Sequence, residues 1–482
     1  MTIMEHEDQP PPVTETLCQW ISDLQLEDVP IQVQERAKHL ILDGIGCGIV
    51  GTQAPWSKIA AQAVSEYEPA GYSRVIGQTQ KYPPLAATLI NGAFIQAMEL
   101  DDYHSKAPLH SASVVLPALF AAVEAQQNRH GHSSIRVSGR SFLLAAITGF
   151  ETGPRAGNAI YGSDLLSRGW HSGPVFGSPA SAAATSKLFG LNSEDTESAI
   201  GIACTQAGGL MSAQYEGMVK RMQHAFAARN GLQGALLARS GYLGIKKVFE
   251  RPYGGFLAMF SQGNGQTPPY KVEELTKGLG TIWQTQAIRF KLYACVGGCH
   301  GQIEVLQQMQ QDHPDRFAPE KLGGIETISV YLSEPIFAHD GWIPERPLTS
   351  TGAQMSAAYI GAVQLVDRQV FPAQFDEAAL DRDSVWELTG KTTCYHSSEF
   401  DQPDHICGAR VIVKFHDGFV LEGATPYPKG YDPPLKNADI REKFRGLGES
   451  VMDPGRVSKI EQLVLGLEKL DDMVELLSLL EG

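Results

Sequence analysis

No apolar run in the sequence is long enough to cross a bilayer; the longest stretches, such as FLLAAITGF at 142–150, fall far short of the roughly 20 residues required. Positive charge is also scarce. Lys and Arg together number 39 against 54 Asp and Glu, a formal net charge of -15 over 482 residues. That balance argues against nucleic acid or an anionic membrane as the main partner, since both call for a basic surface. The start, MTIMEHEDQPPPVTETL, contains no arginine and no apolar core, so it reads as neither a transit peptide nor a signal peptide. A cytosolic protein is the expectation. Cysteine is sparse as well, seven in all, an odd number that suits reduced thiols. Cys295 and Cys299 are four apart, but no second pair completes a zinc site, so both read as small buried hydrophobes. Internal repeats and low-complexity segments are lacking.

What remains is ordinary globular material, 43% hydrophobic and 19% charged, with length for two or three domains. From Thr14 to Thr276 the apolar residues recur at helical spacing. Thr14 is placed to cap a first helix over LCQWISDL, and Pro30 to open a second through VQERAKHLILDGIGCGIVG. AATLINGAFIQAM, SASVVLPALFAAVEA, SPASAAATSKLFG and HAFAARNGLQGALLARSG continue the pattern with many alanines and glycines. Such faces let helices approach closely, which predicts a largely buried bundle. Near residue 277 the character changes. IETISVYLS at 325–333 reads as a strand, and ARVIVKFHDGFVLEGA at 409–424 as a hairpin turning at Asp417-Gly418. TGAQMSAAYIGAVQLV at 351–366 reads as a helix between them, and helical pattern returns after PYPKGYDPP. The predicted fold is mainly α: a helical bundle from residues 1–276 and 433–482, with an α+β insertion over 277–432.

Four loops carry the chemistry. ELDDYHSKAPLH at 99–110 holds Glu99, Asp101, Asp102, His104 and His110, with Ser111 and Ser113 placed to cap the helix that follows. RGWHSGPVFGSPAS at 168–181 holds His171 just before a helix. QYEGMVKRMQHAFAARNG at 214–231 sets Lys220, Arg221 and His224 at a helix head, and KLYACVGGCHGQIEV at 291–305 sets His300 after a glycine pair. Basic and imidazole groups beside helix N-termini bind anions, because unpaired N–H groups and the helix dipole add to the formal charge. Converging, the four loops would make a positive pocket in an acidic protein. Taken singly each has a plainer reading: a capping histidine, a solvated helix end for Asp101 and Asp102, a solvated face for Lys220-Arg221, a structural carboxylate at Glu99. A metal held by Asp101, Asp102, His104 and His110 matches no standard ligand spacing and leaves three basic loops unexplained.

At these loops the sequence resembles the MmgE/PrpD family, which includes 2-methylcitrate dehydratases and cis-aconitate decarboxylases. RAKHLILDGIGCGIVG, AFIQAMELDDYHSKAPLHSASVVLPA, AIYGSDLLSRGWHSGPVFG, GIACTQAGGLMSAQYEGMVKRMQHAFAARNG and RPYGGFLAMF carry the resemblance, which spans nearly the whole chain. The ELDDYHSKAPLHSAS form is most similar to fungal members that make itaconate. The resemblance implies a helical domain with a lid domain, a homodimer, and no metal or organic cofactor. It also implies active-site positions at His110, His171, Lys220 and His300, with Glu99 to Asp102 nearby. Members often have Asp-Asp-Thr where this chain has Asp101-Asp102-Tyr103, so Tyr103 takes a threonine's place; many have His-Pro-Ser where it has His110-Ser111-Ala112. A lid tyrosine associated with the animal members has no clear match.

Decarboxylation of cis-aconitate leaves an allylic carbanion whose protonation at the far α-carbon gives itaconate. The reaction has no redox step. It needs groups to bind two spectator carboxylates, a role suited to Lys220 and the imidazoles, with His171, Tyr103, His224 and Arg221 as the substrate-binding candidates beside Lys220, and it needs one acid. Histidine fits that task best: His110 or His171, with Asp101 or Asp102 holding an imidazole protonated. Dehydration of 2-methylcitrate, decarboxylation of trans-aconitate, and a non-catalytic binding protein on the same fold remain the alternatives at this point.

Overall fold

A computed structural model of the chain describes residues 12–128, 135–402 and 404–482. Its helices follow the apolar blocks. Val13–Asp23 (α1) and Ile31–Gly51 (α2) come first, then Pro55–Tyr67 (α3) and Pro84–Gln96 (α4). Proline opens α3 and α4, where its missing N–H has no helical partner to lose. Thr14 lies inside α1 rather than capping it. Its hydroxyl bonds the Glu250 carboxylate instead, a partner from a distant part of the chain. Next come Ser111–Gln127 (α5), Gly139–Ala159 (α6), Gly162–Ser167 (α7), Ser172–Phe189 (α8), Ser193–Cys204 (α9), Lys220–Arg239 (α10) and Phe256–Phe260 (α11).

The interior of the bundle is built from α4, α5, α8 and α10. Every residue from Ala86 to Gln96 and from Ser111 to Ala125 is buried. Helices apolar on all sides belong in an interior. The helix α8 packs between α6 and α10, and α10 also crosses α4. A Cβ built on Gly92 of α4 would stand 2.8 Å from the Ala225 Cα of α10. Only glycine permits that approach.

The second part is α+β. Two short strands, Tyr103–His104 (β1) and Ile288–Arg289 (β2), pair antiparallel and tie the 99–110 loop to the chain leading into it. Ile325–Leu332 (β3), Thr392–His396 (β4), Ala409–Phe415 (β5) and Val420–Thr425 (β6) form a sheet of order β4-β3-β5-β6. The predicted hairpin is β5–β6, closed by Gly418 at φ 85°. His300–Asp312 (α12) packs against β5 and β6; Glu334–Asp340 (α13), Ser350–Ala353 (α14), Ala357–Asp367 (α15) and Asp383–Gly390 (α16) lie between β3 and β4. The helix predicted over 351–366 is therefore broken into α14 and α15. The Ser356 Oγ caps α15, and the Gln354 side chain turns into the interior, where its Nε2 donates to Met98 O and Ala294 O.

At the C-terminal end Asn437–Glu449 (α17) and Pro454–Leu465 (α18) return to pack on α2. Lys443 of α17 pairs with Asp43 of α2 at 2.7 Å and donates to Leu100 O. All seven cysteines are free thiols, with Cys295 and Cys299 buried. Among the described residues no helix is long and apolar enough to cross a membrane.

Candidate active site

Three of the four loops bring the expected basic group to one place, and the fourth brings Lys291 rather than His300. His110 is the N-cap of α5, His171 the N-cap of α8, and Lys220 the first residue of α10. Their side chains line one cavity, partly open to solvent. The bundle side of its wall includes Glu99, Tyr103, Pro108, Leu166 and Met211, and the α+β side includes Lys291, Gly297, Ile336, His339 and Cys407.

Glu99 is the centre of charge. Its backbone has φ 53° and its side chain is 1% exposed. Oε2 accepts from Lys220 Nζ at 2.6 Å and from Arg221 Nη1, and Oε1 accepts from Lys291 Nζ at 2.9 Å. Three cations surround one carboxylate. Burial pushes the Glu99 carboxyl up, but Lys220, Lys291 and Arg221 outweigh it and hold the group well below the usual carboxylate range. The site therefore keeps an excess of positive charge inside an acidic protein. Burial brings Lys220 down to about 8, with Glu99 opposing the shift. Arg221 also donates to Gln354 Oε1 at 2.6 Å, which explains the break between α14 and α15.

The three imidazoles differ in their partners. His110 faces two carboxylates: its Nδ1 is 3.1 Å from Asp101 Oδ1 and its Nε2 is 3.7 Å from Glu99 Oε1. His171 Nδ1 instead meets the neutral Gln223 Oε1, and burial with Lys220 nearby holds its ring well below the usual range. His224 sits between them, edge to face with His110 at 4.9 Å and with His171 at 4.7 Å, behind the cavity wall. Burial and the two neighbouring rings keep it neutral. Gly173 makes room for it, since a Cβ there would stand 2.1 Å from His224 Nε2.

Asp101 and Asp102 are fully buried, not solvated. Asp102 accepts from Ser111 N at 2.7 Å and Ala112 N at 2.8 Å, so it caps α5 in place of the serines. Burial and the adjacent Asp101 raise its carboxyl to about 8. His104 Nδ1 accepts from Ala107 N at 3.0 Å. Of the would-be metal set, Asp101 and His110 face each other while Asp102 and His104 are turned to backbone N–H groups, and among the described residues no group of three His, Cys, Asp or Glu is arranged to hold a metal.

A model of the MmgE/PrpD N-terminal domain matches residues 15–268, and one of the C-terminal domain matches residues 293–469. The chain belongs to the MmgE/PrpD family. It is 64% identical over 471 residues to a "cis-aconitate decarboxylase-like protein" of Aspergillus oryzae, covering 98% of this chain and 97% of that one. It is 54% identical over 474 residues to the cis-aconitate decarboxylase of Aspergillus terreus, covering 97% and 96%. The human cis-aconitate decarboxylase is 27% identical over 474 residues, covering 98% and 95%.

Within this MmgE/PrpD chain, His110, His171, Lys220, Tyr103 and Glu99 reach the cavity, while Asp101, Asp102, Arg221 and His224 stand directly behind them. His300 does not itself line the cavity. It begins α12, but its ring points between Tyr293 and Tyr103, at 5.0 and 6.3 Å, and Gly297 and Gly298 form the wall instead. Burial, with Lys291 next, brings it down to about 3. Sequence reasoning passed over Lys291, His339 and Gln223. Lys291 stood in the quoted fourth loop, and the need for a cation opposite Glu99 was the signal that could have found it.

Proposed function

We infer that this chain decarboxylates cis-aconitate to itaconate and CO2. The carrying observation is the 54% identity, over 474 residues, to a cis-aconitate decarboxylase. The cationic cavity supports it. Lys220 and Lys291 each keep donors beyond those given to Glu99, and these receive the two spectator carboxylates. We place the departing carboxylate at the His171 side of the cavity, whose lining also includes Pro108, Leu166 and Met211. Its bond to the CH2 carbon breaks, and the electron pair spreads over the allyl system to the far α-carbon and its carboxylate. A preorganised cation at that developing charge is worth roughly 3 kcal/mol of barrier. His110, within reach of Asp101 and Glu99, is the acid that delivers the proton to the α-carbon. The trianion plus one proton thus gives the itaconate dianion and CO2.

Segment 277–432 acts as the lid, and the protein works in the cytosol as a metal-independent homodimer. A monomer mass by sedimentation would refute the dimer. EDTA is expected to leave the rate unchanged, and loss of activity restored by a divalent ion would overturn metal independence. Because Lys220 loses its proton near pH 8, kcat/KM is expected to fall above that pH. A profile flat well into alkaline pH would contradict a binding role for its charge. The substrate assignment is tested by proton NMR with cis-aconitate, trans-aconitate and 2-methylcitrate in separate tubes. Itaconate from the first alone supports the reading. Consumption of 2-methylcitrate without itaconate would replace it with elimination.

A further inference from the structure

Gln223 is held in one orientation. Its Nε2 donates to Leu210 O at 3.0 Å, and its Oε1 lies 2.5 Å from His171 Nδ1. A backbone carbonyl only accepts, so the amide NH2 must face Leu210 and the amide oxygen must face the imidazole. His171 Nδ1 therefore carries the proton. In a neutral ring Nε2 is then left with a lone pair. The same loop fixes the backbone, since His171 N donates to Gly209 O at 3.0 Å. The ionisable groups facing the ring are Lys220, His110, His224 and Glu99; burial and Lys220 dominate and leave it uncharged.

We propose that Gln223 is a positioning residue that holds His171 as the neutral Nδ1–H tautomer, so that the wall beside the departing carboxylate offers a lone pair and no donor. This deepens the decarboxylase reading above and rests on it. An imidazolium at this place would grip the carboxylate with a charge-assisted bond. That bond vanishes as the group leaves as uncharged CO2, so it would stabilise the bound substrate more than the transition state. A lone pair where a donor would otherwise stand leaves a carboxylate placed against it poorly solvated. The shortfall disappears as the electron pair moves into the allyl system toward Lys220 and Lys291. Glutamine suits this task because it accepts from Nδ1 without carrying a charge. A glutamate would draw a second proton onto the ring.

The test is Gln223→Glu in the full chain, assayed by CO2 release and itaconate formation. KM is expected to fall about threefold and kcat about tenfold, the signature of lost ground-state destabilisation. A KM that stays level or rises would overturn the proposal, because simple damage to the site lowers kcat without tightening binding. A second measurement does not depend on the variant folding. Nitrogen-15 NMR of the wild-type protein, with His171 assigned by comparison with His171→Asn, should show an unprotonated Nε2 at neutral pH. A protonated Nε2 would overturn the proposal. The described tautomer in a protein that releases no CO2 would count against the substrate assignment and leave Gln223's hold on His171 standing.

Discussion

Changing His110 to asparagine is expected to lower kcat by about 10²–10⁴-fold, the usual worth of a positioned general acid. KM should change little, because Lys220 and Lys291 hold the spectator carboxylates and neither depends on His110 for its bond to Glu99. Stability should also change little, since the side chain is 14% exposed at the cavity wall and asparagine can still reach Asp101. Steady-state kinetics with a thermal melt checks this. Near-normal kcat in a folded His110→Asn protein would remove His110 as the acid. Asp101→Asn should fall between the two, since the imidazole stays but loses one of the carboxylates beside it.

The second large effect is on folding. Glu99→Gln keeps the shape but leaves Lys220, Arg221 and Lys291 buried around a neutral amide, each of them about 1–2% exposed. Breaking a buried ion pair from one side typically costs about 3–5 kcal/mol, because the remaining charge has no partner. Urea unfolding at neutral pH should show a loss of that order, with activity falling as the two lysines lose their shared anchor. The pH dependence has a definite sign. The folded Glu99 carboxyl is held below its ordinary value of 4.5, so its contribution is fully present above that value. It is lost as pH falls from there toward the depressed folded value. The gap between wild type and Glu99→Gln should therefore be widest near neutrality and narrow below about pH 4.5. A gap that widens on acidification would contradict the ionised cluster.

Much of this site follows from local rules. Helix-start patterns put His110, His171 and Lys220 at N-termini, and the structure has them there. The apolar runs became the buried helices, and Asp417-Gly418 marked a real hairpin. What the sequence withheld depends on contacts between distant residues. Lys291 meets Glu99 across 192 positions, and hydrophobic periodicity carries no information at that range. The cap of α5 comes from Asp102, nine residues before Ser111, whereas the usual rule inspects only the residue at the helix start. The break between α14 and α15 defies a good helical pattern because Gln354 bonds Met98, Ala294 and Arg221 across the interior. His300 shows the limit of reasoning from position alone. It stands at a helix N-terminus as expected, yet its ring packs beside Tyr293 and Tyr103 and does not line the cavity.

The most direct measurement follows the purified protein with cis-aconitate in D2O by proton and carbon NMR. Loss of the CH2-linked carboxylate with protonation of the far α-carbon predicts itaconate with one deuterium in its saturated CH2 and none in the vinylidene group. Deuterium in the vinylidene group would mean that the other terminal carboxylate leaves without an allylic shift, and the absence of itaconate would mean that the chain is not this decarboxylase.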